Sequence, residues 1–441
     1  MFCNCNAFQR FFAVLGILIS CNISNQAQNM YPKPGIIPVD ALADTARADD
    51  FLEALMKQYP QYFDSILDNR TALNVQIIYT QVNRGANGIA ELTHHYFNVN
   101  PARYFYPAST VKLPIVLLAL QRLNELKEKG IDRNTTMITE SVFSGQTAVY
   151  NDPTAPGGKP SIAHYIKKIL MVSDNDAFNR LYEFLGQEYI NTELHKKGYT
   201  DAQILHRLDI FLSEEENRRT NPYRFLDNSG QTIYSQPEQR NNERYFQRED
   251  SLGKGYYKGN TLVNGPMDFS KKNRISLEDL HNILISLVFP NKVRSNQRFN
   301  ITEDDRQFVL KYMSQYPTES VYPPYAADTA SYWPAYCKFM LFGAEKGPLP
   351  DNIRIFNKCG DAYGHMLDVA YVADLKNNIE FFVSALIYCN SDGILNDDKY
   401  DYKTVGLPFM KNLGRVIYDH ELKRNYKIRP DLSAFRFTYD K

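Results

Sequence analysis

An α/β fold of the α+β kind is predicted, with one antiparallel sheet lobe built from both ends of the chain. Three observations predict it. Near the N-terminus, Leu73-Asn-Val-Gln-Ile-Ile-Tyr-Thr80 and His94-His-Tyr-Phe-Asn-Val99 are β-rich or alternate, and Arg84-Gly-Ala-Asn-Gly88 between them supplies turn residues. Near the C-terminus, Asp368-Val-Ala-Tyr-Val-Ala373 and Ile379–Tyr388 read as two more strands joined through Asp374–Asn378. Between these ends, from about 108 to 345, apolar residues recur mostly at helical spacing. Pairing of the two ends gives a sheet lobe with helices on its faces and an inserted all-helical lobe, and a cleft belongs between such lobes.

The elements follow in order. Residues 1–10 carry one basic residue, Arg10, and Phe11–Ile19 is an apolar run too short to span a bilayer but of signal-peptide length. The run ends in Leu18-Ile-Ser-Cys21, which resembles a bacterial lipobox, so residues 1–21 read as a signal peptide with a lipidated Cys21. A plain signal peptide, or a true start at Met30, is the other reading. Residues 22–44 are polar and Pro-rich, a linker. The globular domain is expected over 45–425. It begins with an amphipathic helix from Asp49 to Leu67, followed by the hairpin.

Val111–Lys129 reads as a helix stopped by Gly130, Ser161–Met171 as a second, and Asp176–Leu185 as a third stopped by Gly186. Ser276-Leu-Glu-Asp and Thr302-Glu-Asp-Asp are helix start signals. Residues 213–260 are polar, charged and poor in aliphatics, an expected long loop or insertion. A last helix runs from Leu407 to Glu421, and 426–441 is left as a C-terminal tail.

Composition bounds the function only loosely. The chain has 441 residues, 44% hydrophobic and 23% charged, with 50 basic and 50 acidic side chains. That balance points to no nucleic-acid partner. Of six cysteines, Cys3 and Cys5 would leave with the signal and Cys21 would carry lipid, so Cys337, Cys359 and Cys389 remain. One disulfide plus one free thiol is open. There is no CxxC pair and no HExxH, so neither a metal nor an organic cofactor is expected.

Chemistry gathers at three places. In Tyr106-Pro-Ala-Ser-Thr-Val-Lys112, Ser109 and Lys112 are three residues apart at a helix start. They share a face there, and a desolvated lysine could take the hydroxyl proton. The same spacing at Ser251-Leu-Gly-Lys254 carries no chemistry, so the pair alone is weak. Val172-Ser-Asp-Asn-Asp176 places Ser173 and Asn175 on a turn between two helices. Phe356-Asn-Lys-Cys-Gly-Asp-Ala-Tyr-Gly364 holds Lys358, Gly360 and Asp361, a strand ending where backbone must approach a ligand. Each has a plain structural reading as well: snorkelling to solvent for Lys112, a helix cap for Ser173-Asp-Asn175, a surface charge for Lys358.

The order S-x-x-K, S-D-N, K-x-G resembles the class A serine β-lactamases and, more broadly, the penicillin-recognising serine hydrolases. Asn179-Arg-Leu181 and Arg207-Leu-Asp209 fit the same order, and the likeness covers roughly residues 49–421. It implies Ser109 as nucleophile, Lys112 as its proton-relay partner, and Ser173 passing the proton to the leaving nitrogen. It implies Asn175 for the substrate amide, Lys358 for the substrate carboxylate, and the N–H groups of Ser109 and Asp361 as the oxyanion hole beside Gly360.

The implied substrate is a β-lactam or a peptidoglycan peptide. The implied location is the periplasmic face, with Cys21 as lipid anchor. A cell-wall peptidase or transpeptidase with slow deacylation is the alternative, and a non-catalytic lipoprotein binding module is another.

The pattern also departs from the family. Leu212 stands where the family has the glutamate that activates water, and within Glu214-Glu-Glu216 the expected substitute is Glu214. Cys359 replaces a hydroxyl residue, and His365 is a candidate for the basic residue of that region.

Overall fold

The computed structural model describes residues 47–440. The expected signal peptide with Cys21 and the linker over 22–44 lie outside the described residues.

The chain opens with α1 (Asp50–Lys57) and α2 (Pro60–Asp68), then the hairpin β1 (Gln76–Arg84) and β2 (Ala90–Phe97). The inserted part begins with α3 (Lys112–Glu125), β3 (Thr136–Thr139), α4 (Ile162–Val172), α5 (Asn175–Leu185) and α6 (Gln187–Lys196). It continues through α7 (Glu214–Asn217), β4 (Tyr223–Leu226), β5 (Thr232–Gln236), β6 (Ser251–Leu252) and β7 (Gly255–Lys258). Next come β8 (Thr261–Asn264), β9 (Met267–Asp268), α8 (Leu277–Val288) and α9 (Glu303–Ser314). The chain then returns to the sheet with β10 (Ile353–Ala362), β11 (His365–Asp374) and β12 (Ile379–Tyr388), and ends through β13 (Ile394–Leu395) and α10 (Leu407–Lys423).

The main sheet has the order β10-β11-β12-β1-β2, antiparallel throughout. Both ends of the chain therefore build one sheet, as the sequence predicts. The junction is the β1–β12 pair, where Tyr79 faces Val383. Side-chain alternation divides the core in two. Ile78, Phe356 and Phe382 join the cluster under α3, α4, α5 and α8, while Tyr79, Ile355 and Phe381 join the cluster under α1, α2 and α10. Buried on both faces, these strands read as near-continuous apolar runs rather than as alternation.

Local signals account for the helices. Asp49, Ser161, Asp174, Ser276 and Thr302 each cap the helix that follows by accepting a backbone N–H. The single helix expected from Asp49 to Leu67 is broken in two, because Pro60 starts α2 and has no N–H to continue α1. Helix α3 is apolar nearly all round because it runs through the core, with eleven buried residues among its fourteen.

Three expectations change. The inserted lobe has a helical core but is not all-helical: β3-β4-β5 form one small sheet, β13-β7-β8 another, and β6 pairs with β9. Residues 213–260 hold α7 and strands β4 to β7, with an irregular stretch over 237–250 between β5 and β6. The C-terminal tail is packed: Phe435 lies against Phe356 and Tyr371, and Lys311 pairs with Asp440 at 3.0 Å. Cys337, Cys359 and Cys389 are buried and free, so no disulfide forms among the described residues.

Candidate active site

Ser109 sits on a short 3-10 turn, Ala108–Val111, that feeds directly into α3. Ala108 enters this turn at φ 47°, a left-handed conformation that costs an alanine on the order of 1–3 kcal/mol. The turn leaves Ser109 partly exposed, and its Oγ has no hydrogen-bond partner among the described residues. Lys112, one turn on, is fully buried.

Lys112 Nζ donates to the Ser173 carbonyl at 2.5 Å, to Asn175 Oδ1 at 2.6 Å and to Ser173 Oγ at 3.2 Å. These partners are aimed by a helix–helix junction. Ser173 ends α4 in the left-handed conformation, Asp174 caps α5, and Asn175 is the first residue of α5. The cap reading of Ser-Asp-Asn is realised, and the same capping fixes the side chains that face Lys112.

From the sheet side, Lys358 Nζ donates to the same Ser173 Oγ at 2.8 Å and to the Cys359 carbonyl at 2.7 Å. Lys358, Gly360 and Asp361 lie inside β10 rather than after it. Burial, and then the positive charge of Lys358, hold the Lys112 amine well below an ordinary lysine.

Gly360 brings the strand against Ser109. A Cβ at this position would stand 2.6 Å from the Ser109 backbone nitrogen and 3.0 Å from that of Thr110. Residue 360 must therefore lack a side chain, a role that follows from this close approach. Asp361 follows on the same stretch and is exposed. β10 is an edge strand, so the N–H groups on its outer side are not consumed by a neighbouring strand.

The loop after α6 is stapled to α5. Arg207 Nε donates to the buried Glu183 at 2.9 Å, and Arg180 Nη1 holds the other oxygen of Glu183 at 2.9 Å. Asn179 Nδ2 donates to the Leu208 carbonyl at 2.9 Å, and its Oδ1 accepts the Leu208 N–H at 2.8 Å. This clamp delivers Asp209, at φ 57°, to Asn175, whose Nδ2 donates to Asp209 Oδ2 at 3.4 Å.

Glu214 is not part of this assembly. Its carboxylate is exposed and accepts from Lys271 at 2.8 Å and Arg218 at 3.3 Å. Glu215 pairs with Arg240 and Arg219, and Glu216 closes the capping box of α7 with Ser213. Leu212 packs against Gly145. The partner Lys271 lies far along the chain, so this ion pair of Glu214 is invisible to local reading.

Two further expectations change. His365 is buried, and burial pushes it down to about 3, so it is a neutral side chain rather than a stand-in cation. Cys359 belongs to the apolar cluster on the α1/α2/α10 side of the sheet together with Cys337, whereas its neighbour Lys358 faces Ser173.

Sequence reading missed an aromatic wall beside Ser109. Tyr106 and Phe269 meet the Tyr363 ring edge-on at 5.0 and 5.1 Å, and His206 stacks on Tyr106 at 6.1 Å. Tyr106 precedes Ser109 by three residues and Tyr363 turns the β10–β11 hairpin, the only local signals available.

Elsewhere, a cavity of about 760 Å³ is lined by Arg122, Glu125, Gly186, Glu193, Arg218 and Arg240. Its acids and bases pair with one another and with their neighbours, as in Lys196–Glu193 and Arg240–Glu215, and none of the residues around Ser109 lines it. Among the described residues no group of three or more His, Cys, Asp or Glu side chains could hold a metal ion.

A family model described as "Beta-lactamase enzyme family" matches residues 61–420. No curated protein matches the chain. Among solved structures, a β-lactamase from Sphaerobacter thermophilus is similar at 14% identity, covering 83% of this chain and 97% of its own, with a TM-score of 0.42. A β-lactamase from Xanthomonas campestris is similar at 12% identity, covering 83% and 98%, with a TM-score of 0.45. A PBP-A variant solved as an acyl-enzyme complex with penicillin G is similar at 14% identity, covering 86% and 99%, with a TM-score of 0.43.

Proposed function

The chain belongs to the β-lactamase enzyme family, and from that premise we propose that it is a serine hydrolase of class A type, opening β-lactams or related cell-wall amides through an acyl-enzyme on Ser109. The observation that carries this reading is the convergence of Lys112, Ser173 and Lys358, from three distant segments, on one hydrogen-bonded group beside Ser109.

In this reading Lys112, its amine favoured neutral by burial, takes the Ser109 hydroxyl proton as Oγ attacks the amide carbonyl carbon. The oxyanion that forms lies at the Ser109 N–H and the backbone of β10 next to Gly360. As the C–N bond breaks, Ser173 passes its hydroxyl proton to the leaving nitrogen and regains one from Lys112, which returns that amine to its neutral form, and Lys358 holds the substrate carboxylate in place. Asn175 supports the substrate's amide while fixing Lys112.

Intact mass after mixing with a penicillin tests the reading. A covalent adduct on the wild type that Ser109→Ala abolishes is the expected result, and a wild type without adduct leaves a binding module on this fold. A second reading, a peptidase or transpeptidase-like enzyme with slow deacylation, is favoured by one observation: Glu214 is tied to Lys271 and Leu212 is turned to Gly145. A lasting adduct would select it.

We also propose export through the Phe11–Ile19 run and anchoring at Cys21. Membrane-fraction retention that Cys21→Ser abolishes is its test.

A further inference from the structure

We propose that Lys338 and Asn357 join side chain to side chain through an amide bond whose formation Asp368 assists. Their neighbours Cys337 and Cys359 belong to the core under α1, α2 and α10, and no step of the acylation uses this group.

Lys338 Nζ lies 2.7 Å from the Met313 carbonyl, 3.0 Å from the Ile355 carbonyl and 2.8 Å from Asn357 Oδ1. Asn357 Nδ2 donates to the Cys337 carbonyl at 2.8 Å and to Asp368 Oδ1 at 2.7 Å. A carbonyl can only accept, so the amide is turned with its oxygen toward the lysine. Asp368 is itself fixed, its Oδ2 accepting the Met340 N–H at 2.9 Å. Lys338 and Asn357 are each 2% exposed and Asp368 is 0% exposed, so bulk water does not compete for the amide carbon.

A buried lysine without a carboxylate on its amine is a nucleophile in reserve. Burial holds the Lys338 amine down at about 8 and pushes the Asp368 carboxyl above its ordinary range. A neutral amine keeps two hydrogens, which the Met313 and Ile355 carbonyls accept. Its lone pair is then left for the third partner, the Asn357 amide.

In the step, Nζ bonds to Asn357 Cγ and the carbonyl electron pair moves onto Oδ1. Asp368 takes the extra proton from Nζ and gives it to Nδ2, to which it is already hydrogen-bonded. The Cγ–Nδ2 bond breaks as the electron pair returns, ammonia leaves, and Asp368 is a carboxylate again. No oxidant or metal takes part. The bond would fasten the segment before β10 to β10 itself, one residue short of Lys358.

Tryptic mapping of the full chain by mass tests this. An acylated Lys338 resists trypsin, so residues 312–346 should stay whole and carry residues 355–358 with them. The joined pair should weigh about 17 Da less than the sum of its parts, the mass of ammonia. Joining distinguishes this from an asparagine that loses ammonia by cyclising on its own backbone. Asp368→Asn cannot take the proton and should join about 100-fold more slowly after refolding. Ser109→Ala should join as the wild type does.

Wild-type chain whose peptides stay separate overturns the proposal, and that result needs no variant to fold. Joining in Asp368→Asn at the wild-type rate, or its loss in Ser109→Ala, overturns the assigned roles. None of these outcomes bears on Ser109 as nucleophile, which the penicillin adduct decides separately.

Discussion

Gly360 and Ser109 approach so closely that a methyl group on residue 360 would stand 2.6 Å from the Ser109 nitrogen. That gap is below any ordinary carbon contact, and both atoms belong to backbones anchored elsewhere: one in the sheet, one at the head of the buried helix α3. Gly360→Ala must therefore push the strand and the turn apart. Acylation should fall by about 10²-fold as the oxyanion donors part, while stability drops by only about 1–3 kcal/mol. Adduct formation rate and denaturant unfolding measure the two effects. Normal acylation in this variant would detach β10 from the chemistry.

Acylation should depend on pH through Lys112. Burial, then Lys358, lowers its folded value, so the amine is the neutral base at pH values where an ordinary lysine is charged. The acylation rate is retained above that lowered value and lost as pH falls through it. Removing the neighbouring charge with Lys358→Met relieves the smaller of the two causes, so the midpoint should move toward higher pH while the overall rate drops. Rate profiles of wild type and variant decide this, and an unmoved midpoint would rule out coupling between the two amines.

Acid should destabilise the fold through buried imidazoles. His281 bonds Thr80 and Ser384 through its two nitrogens, and burial pushes it down to about 3. His365 is likewise pushed to about 3 and His206 to about 4. Free histidine titrates near pH 6.5, so between these values protons bind mainly to the unfolded chain. Stability is full above about pH 6.5 and is lost as pH falls toward 3–4, at up to about 1.4 kcal/mol per pH unit for each group. Thermal unfolding from pH 7 to 4 should show the decline, and His281→Leu should flatten it whatever it does to stability at pH 7.

The Arg180–Glu183–Arg207 group should behave as one unit. Glu183→Gln leaves the buried Arg207 without its counter-ion, while Arg180 keeps Asp176 at 2.9 Å, a change that typically costs about 3–5 kcal/mol. Because Arg207 also donates to the Glu216 and Arg219 carbonyls, the loop that follows it should loosen. Hydrogen exchange over residues 205–220 would register this as lost protection, and unchanged protection would remove the clamp from the account.

Much of this architecture could be read from the residues. The five long strands and the capped helices announce themselves because the signals are local: an Asp, Ser or Thr cap, an apolar run, a glycine stop. The convergence of Lys112, Ser173 and Lys358 was legible only because three spacings recur in one order. What could not be read depends on distant partners. Glu214 looks like a free acid until Lys271 meets it, and His365 looks cationic until the sheet buries it. The strands between 223 and 268 are two to five residues long, too short for periodicity to register. Pro60 is a local signal set inside an otherwise continuous amphipathic pattern, which masks the break between α1 and α2.

The β1–β12 ladder joins residues separated by about 300 positions, such as Gln76 and Leu386. A ribosome therefore completes the first hairpin long before the strand that seals it exists. Until residue 388 has emerged, β1 keeps a bare, hydrophobic flank of the kind that invites association with other chains. Loop-closure entropy on this scale makes the last pairing slow. Lys358 and Gly360 lie on β10 of this same sheet, so the group around Ser109 is assembled only after the late strands have emerged.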